Sequence, residues 1–344
     1  MRDHLRLLML AIAVAIAAAS AVAAETAPLA YHLAATFKVG GDGGWDYATL
    51  KEDGRVIYVT RTTHTMVIDV ASGRILADIP GQQRSHGVAL VPEAGRGFIS
   101  DGGNGSVLIF DLKTRKPIGS VPAAADADGI IYDPASNRVL VMCGDAHQIV
   151  AIAPDVNPAG GKPAATVDLG GAPEFAVADG KGKVFVNIVD KDEVAVVDTK
   201  AMKVIARWPT APGNRPTGLS MDRATRRLFI GCRNNKLVVM NADDGKIVAD
   251  FPIGAFVDAT AFRDGLVFAS CGDGTLTIIE ASPDKFEPAQ VVKTQLGART
   301  MAVDQTGMMI YLPTADLNFA PGSTPTRPRP IPVPGTFRIL EVTQ

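Results

Sequence analysis

The chain has 344 residues, 47% of them hydrophobic but only 6% aromatic, and its 34 Lys and Arg against 36 Asp and Glu leave a formal net charge of −2. Those charges are dispersed rather than grouped in blocks, so neither a nucleic-acid partner nor an anionic membrane surface is expected. A chain of this size and apolar content buries a substantial core, and its repeat pattern runs almost end to end without a linker, which points to one closed array rather than two domains.

In chain order, Arg2 and Arg6 precede an uncharged apolar stretch from Leu7 to Ala24 that ends Ala21-Val22-Ala23-Ala24. Residues 1–24 read as a secretory signal peptide cleaved after Ala23 or Ala24, giving a periplasmic or secreted protein. An uncleaved anchor is the competing reading, because about 18 apolar residues just span a bilayer. The small residues closing the run favour cleavage, and no other segment is long and apolar enough to cross a membrane.

Residues 25–344 carry one pattern seven times. The first unit predicts strands over Tyr47–Leu50, Val56–Thr60, Thr65–Val70 and Ile75–Ile79, with turns at Glu52-Asp53-Gly54 and Ala71-Ser72-Gly73. Later units begin around Val88–Val91, Ile130–Tyr132, Phe175–Ala178, Leu219–Met221, Ala259–Phe262 and Met301–Val303. Polar residues precede several of the last turns in each unit (Asp69, Asp111, Asp198, Asn241, Glu280), where such side chains cap turn amides. Four short strands per unit, repeated seven times, predict an all-β fold: a seven-bladed β-propeller of four-stranded antiparallel blades. The last unit lacks its fourth strand. His32 to Gly40 matches the fourth-strand pattern of Ile75 to Gly81 and would complete that blade, closing the ring and removing its exposed edges.

One unit departs from the plan. Residues 313–335 of the last blade replace a short loop with a stretch containing Pro321, Pro325, Pro328, Pro330, Pro332 and Pro334. Proline donates nothing to a ladder and favours extended chain, so an irregular excursion is expected rather than a further strand. It is placed either as a lid over the channel mouth, with Phe319, Arg327 and Arg329 directed inward, or as a passive surface loop.

Superposing the seven units on their first strands aligns Asp46, His86, Asp128, Glu174, Thr217, Asp258 and Thr300, at spacings of 40, 42, 46, 43, 41 and 42 residues. In a propeller this position rings the channel mouth. Carboxylates gathered there repel one another unless a cation compensates. A divalent cation, calcium or magnesium, held by Asp46, Asp128, Glu174 and Asp258 is one answer, and it would supply a Lewis acid. Ion pairs with the nearby Arg84, Arg215 and Arg299 are a second, and open water a third. His86 is a base, a metal ligand or a polar residue at the start of a strand. His64 and His147 fall on the same face. Trp45 and Tyr47 flank Asp46 and either stack on a ligand or pack against a neighbouring blade.

Cys143, Cys232 and Cys271 occupy equivalent places at the ends of second strands, too far apart for a disulfide, and read as small packing residues or, less simply, as metal-binding thiolates. No Gly-x-Ser-x-Gly elbow, His-Glu-x-x-His, phosphate-binding loop or Cys-x-x-Cys is present. The Gly-rich runs Asp101 to Gly105 and Gly272 to Gly274 fall between strands and read as hairpin turns.

Arg55-Val56-Ile57-Tyr58-Val59-Thr60, Arg227-Leu228-Phe229-Ile230-Gly231 and Val194-Ala195-Val196-Val197-Asp198-Thr199 resemble the YVTN-type seven-bladed propellers of exported bacterial proteins, over essentially the whole mature length. Tyr58-Val59-Thr60 matches the name motif, which departs at Arg61, where the family pattern has Asn. The resemblance implies the propeller fold, which is shared with lactonases and a streptogramin-type lyase; the lyase His-x-Glu pattern is absent. Two functions stay open. One is a monomeric, non-enzymatic scaffold binding a small molecule or a protein through the ring and Arg215 and Arg299. The other is a metal-dependent lactonase-like hydrolase or lyase at the channel mouth.

Overall fold

The computed structural model describes residues 29–283, 285–324 and 328–344; the expected signal peptide and Arg327 lie outside them. Antiparallel strands are the main element of the described residues, joined by turns, with one short 3-10 helix at Pro92–Ala94. Four four-stranded sheets run in simple sequence order, starting with the strands Ala127–Asp133, Pro173–Ala178, Pro216–Asp222 and Val257–Arg263. Before them a seven-stranded sheet extends from Ala48–Leu50 to Pro117–Pro122. It joins two units because the 17-residue strand Ile75–Val91 ends one and begins the next, where two separate strands were expected. The remaining four-stranded sheet takes Ala302–Val303, Met309–Thr314 and Arg338–Thr343 from the C-terminal end and His32–Lys38 from the N-terminal end. This is a β-propeller-like architecture. Among the described residues no helix is long and apolar enough to cross a membrane.

Burial explains why the second and third strands of each unit read as unbroken apolar runs. Arg227–Cys232 and Lys236–Asn241 are covered on both faces by adjacent sheets and are buried at every interior position. Outer strands alternate instead: Lys203–Pro209 and Ile247–Pro252 turn every second side chain to solvent. The core therefore lies between sheets. Val107 and Ile109 of one sheet pack with Val139 and Val141 of the next, and Leu140 and Met142 pack in turn with Val184 and Val186. Inner strands touch in sequence around an axis, and Ala302–Val303 also contacts Ala48–Leu50.

The expected turn caps form at four positions. Asp69 accepts from the Ser72 amide, Asp111 from Thr114, Asp198 from Lys200 and Ala201, and Asn241 from Asp243. The three cysteines are buried and unpaired, burial pushes each thiol up to about 12, and none of them joins the group of potential metal ligands found among the described residues. The proline-rich excursion differs from expectation. Leu317–Phe319 and Pro330–Pro332 pair as a two-stranded ribbon, Asn318 opposite Ile331. Prolines are accommodated because flanking bonds use other amides, Ala320 N–H to Arg329 O and Val333 N–H to Asp316 O.

The N-terminal strand pairs antiparallel with Arg338–Thr343, Thr36 opposite Leu340 and Phe37 opposite Ile339. The chain then reaches the first inner strand through residues 40–44, and a buried cation holds that passage. Arg61, 1% exposed, donates to the carbonyls of Gly44 (2.9 Å), Asp42 (2.8 Å), Gly43 (3.2 Å) and Gly40 (3.4 Å). Its guanidinium lies 3.7 Å above the Phe337 ring and pairs with no carboxylate among the described residues. Burial lowers its pKa to about 10, which still leaves it charged at neutral pH. The departure from the YVTN motif thus has a physical role, since five donors in one rigid fork satisfy a cluster of carbonyls that one Asn amide would not. Arg61→Met should destabilise the fold by about 2–4 kcal/mol, because the carbonyls lose their donors and the cation–π contact is lost. Urea unfolding measures this, and a loss below about 0.5 kcal/mol would show the knot to be dispensable.

Candidate functional site

The inner strands begin irregularly, and the irregularity sets the direction of the ring side chains. Pairing skips between Ser85 and Val88, Ala127 and Ile130, Pro173 and Ala176, Pro216 and Leu219, and Val257 and Ala259. Each gap holds a ring residue: His86, Asp128, Glu174, Thr217 and Asp258. A β-bulge leaves a residue outside the ladder and re-aims its side chain.

The carbonyls at this level accept hydrogen bonds from the preceding unit. Thr60 Oγ1 donates to His86 O (2.8 Å), Ser100 Oγ to Asp128 O, Asn187 Nδ2 to Thr217 O (2.9 Å) and Ser270 Oγ to Arg299 O (2.6 Å). Two ring residues belong to the same set. Thr217 Oγ1 donates to Val257 O (2.7 Å) and Thr300 Oγ1 to Asp46 O (2.8 Å). Both threonines are therefore turned into the seams between sheets and do not line the mouth. At the seam between the third and fourth units no such donor is present; there a Cβ on Gly129 would fall 2.3 Å from Glu174 O, so backbone approaches backbone.

The remaining ring residues form two groups with Asp46 shared between them. His86 Nδ1 lies 2.6 Å from Asp46 Oδ2 and 3.3 Å from Asp128 Oδ1, so its N–H donates to Asp46. Asp258 is held from both sides, by Arg299 Nε and by Arg233 Nη2, each at 2.6 Å, and Arg299 Nη2 reaches Asp46 Oδ1 at 3.5 Å. The expected set of four carboxylates around one cation is thus divided: ligand atoms of Asp46, His86 and Asp128 lie within 4.8 Å of one another, while Asp258 and Glu174 stand outside that group. Arg215 is exposed, its backbone N–H on Asp192, and does not line the mouth. Arg233 serves instead. Arg84 pairs with Asp126.

Below the ring two aromatic side chains meet across the axis. Tyr47 of the first unit meets Phe175 of the fourth, ring centroids 5.1 Å apart, so it crosses the centre instead of packing on an adjacent sheet. Trp45 packs against Phe337, at 6.2 Å. Above the ring lies a cavity of about 750 Å³. Its floor is Asp46, Glu174, Asp258, Arg233 and Arg299; its walls include Phe256 and Leu296, and the ribbon contributes Leu317, Phe319, Pro328 and Pro330. The excursion therefore covers the mouth. Arg329 is not part of the lining; it donates to Pro321 O. His64, near Asp78, and the exposed His147 also lie outside it.

Crowding of acids shifts their titration. Burial, then Asp258 and Asp46, raise Glu174 to about 8, against the opposing pull of Arg233. Burial, then Asp46 and Glu174, raise Asp128 well above the carboxylate range, and burial together with the four acids raises the Tyr47 phenol. Burial works against the charge on Arg299, but Asp258 and Asp46 outweigh it and raise its pKa. An acid whose folded value exceeds its unfolded value keeps a proton that the unfolded chain has lost. Stability is then lost as pH rises from the unfolded value of ~4.3 towards the folded value. The melting temperature of the wild type should accordingly fall relative to Glu174→Gln between pH 5 and pH 8; parallel curves across that window would contradict the shift.

No family model and no curated protein matches the chain. Among solved structures it is similar to hydrazine synthase from Kuenenia stuttgartiensis, a β-propeller-containing protein, with a TM-score of 0.68 and 12% identity over 78% of this chain and 92% of that one. Identity this low carries likeness of fold alone.

Proposed function

We propose that the protein is an exported, monomeric, YVTN-type seven-bladed β-propeller, closed by its N-terminal strand, that binds a small molecule at its channel mouth without transforming it. Counting the shared strand twice gives seven four-stranded blades, and the bond from Thr300 to Asp46 O supports closure between the last and the first. Tyr58-Val59-Thr60 supports the family, and the apolar run from Leu7 to Ala24 supports export. The observation that carries the binding reading is the covered cavity, with a charged floor, an apolar wall and a volume in the range of small-molecule sites. Among the described residues no serine, threonine or cysteine stands at the floor with a base in hydrogen-bond reach, which favours binding over nucleophilic catalysis.

A second reading, a metal-dependent lactonase-like hydrolase or lyase, has one observation in its favour: the grouping of Asp46, His86 and Asp128. Calcium takes roughly six to eight oxygens, and two carboxylates with an imidazole do not fit it; magnesium, which keeps several waters, fits better. A bound magnesium would supply a Lewis acid for a carbonyl oxygen.

Uncharged N-phenyl-1-naphthylamine is a suitable fluorescent probe of the cavity. It should bind saturably, and Phe319→Ala should weaken it about fivefold, the loss expected on removing one aromatic wall contact. Binding indifferent to Phe319 would remove the cavity as the site. A melting temperature raised by more than about 3 °C in 1 mM magnesium chloride, and unmoved in Asp128→Ala, would replace binding by the metal-dependent reading.

A further inference from the structure

Resting on the cavity as a binding site, we infer that its ligand is an organic cation, an ammonium group carried on an apolar alkyl or aryl body. The ion pairs of the floor leave one carboxyl without a partner. Arg233 and Arg299 both hold Asp258, at 2.6 Å each, and Arg299 also faces Asp46 at 3.5 Å. Two guanidinium groups thus meet two carboxylates. Glu174 lines the same cavity, and its carboxyl makes no hydrogen bond or ion pair with any described residue.

An anionic head group would have to compete with Asp258 for its two arginines while facing Glu174 and Asp46. A cationic head finds an unpaired carboxyl already in place. Phe256 and Phe319 offer aromatic faces in the same wall, and Leu296, Leu317, Pro328 and Pro330 take the apolar body.

The groups facing Glu174 come from several units: Asp46 and Tyr47 from the first, Asp126 and Asp128 from the third, Arg233 from the fifth and Asp258 from the sixth. Arg299, His86 and Arg84 pair with acids of this set, and burial, more than the balance of charges, raises the Glu174 carboxyl to about 8, so that it is mostly protonated at pH 7. The ammonium takes the place of that proton, which leaves to solvent. Charge at the floor is unchanged by the exchange.

Calorimetric titration with three probes of one tail, n-octylammonium, 1-octanol and octanoate, tests the inference. Octylammonium should bind at least tenfold tighter than octanoate. Its affinity should rise about tenfold from pH 7 to pH 9 as Glu174 gives up its proton, while that of octanol stays flat. Glu174→Gln should bring octylammonium to the level of octanol and abolish the rise, with octanol binding preserved as the sign of an intact cavity. Octanoate or octanol binding as tightly as octylammonium, or an ammonium affinity flat with pH in the wild type, overturns the cation and leaves the cavity standing. Failure of all three to bind overturns both.

Discussion

The mouth of this protein depends on where its buried carbonyls find donors. Inner strands that bulge at one level leave carbonyl oxygens outside their own ladders, and a buried carbonyl without a donor is costly. Hydroxyls and an amide from the preceding unit donate to carbonyls at this level: Thr60, Ser100, Asn187, Thr217, Ser270 and Thr300. The same bonds hold neighbouring sheets in register, so the distortion that aims acids at the axis also supplies the cohesion between units. Site and scaffold are built from one set of contacts.

This coupling explains the electrostatic character of the floor. Sheets held this closely bring Asp46, Asp128, Glu174 and Asp258 nearer than free carboxylates would settle, and the structure offsets the repulsion locally. His86 lies between Asp46 and Asp128, and Arg233 and Arg299 clamp Asp258. Glu174 is left out of these arrangements. Burial beside acids already committed elsewhere raises its pKa to about 8.

Much of this was legible in the repeats, and the exceptions share a cause. Alignment of the units located Asp46, His86, Asp128, Glu174 and Asp258 at one level because strand position is periodic. It also placed Thr217 and Thr300 there, since a repeat encodes where a Cα lies and not which way a bulge turns its side chain. Arg215 stood beside the ring in sequence, but its positive φ of 51° turns the chain outward, while Arg233 reaches inward from the next turn. A signal for Arg233 existed: it follows Cys232 where the equivalent positions after Cys143 and Cys271 are glycines, Gly144 and Gly272. The crossing of Tyr47 to Phe175 joins units three apart and leaves no trace in local pattern. The ribbon was hidden because prolines argue against strands, and only the bonding of its flanking amides makes the pairing possible.

The contact between Tyr47 and Phe175 makes the mouth a dead end rather than a passage. For the ligand proposed above, the way in and out is then on the side of Phe319 and the prolines of the ribbon rather than through the axis. In that reading the ribbon borders the route of exchange, while the floor holds the head group. Retention and recognition of the proposed ligand would then fall to different parts of the chain.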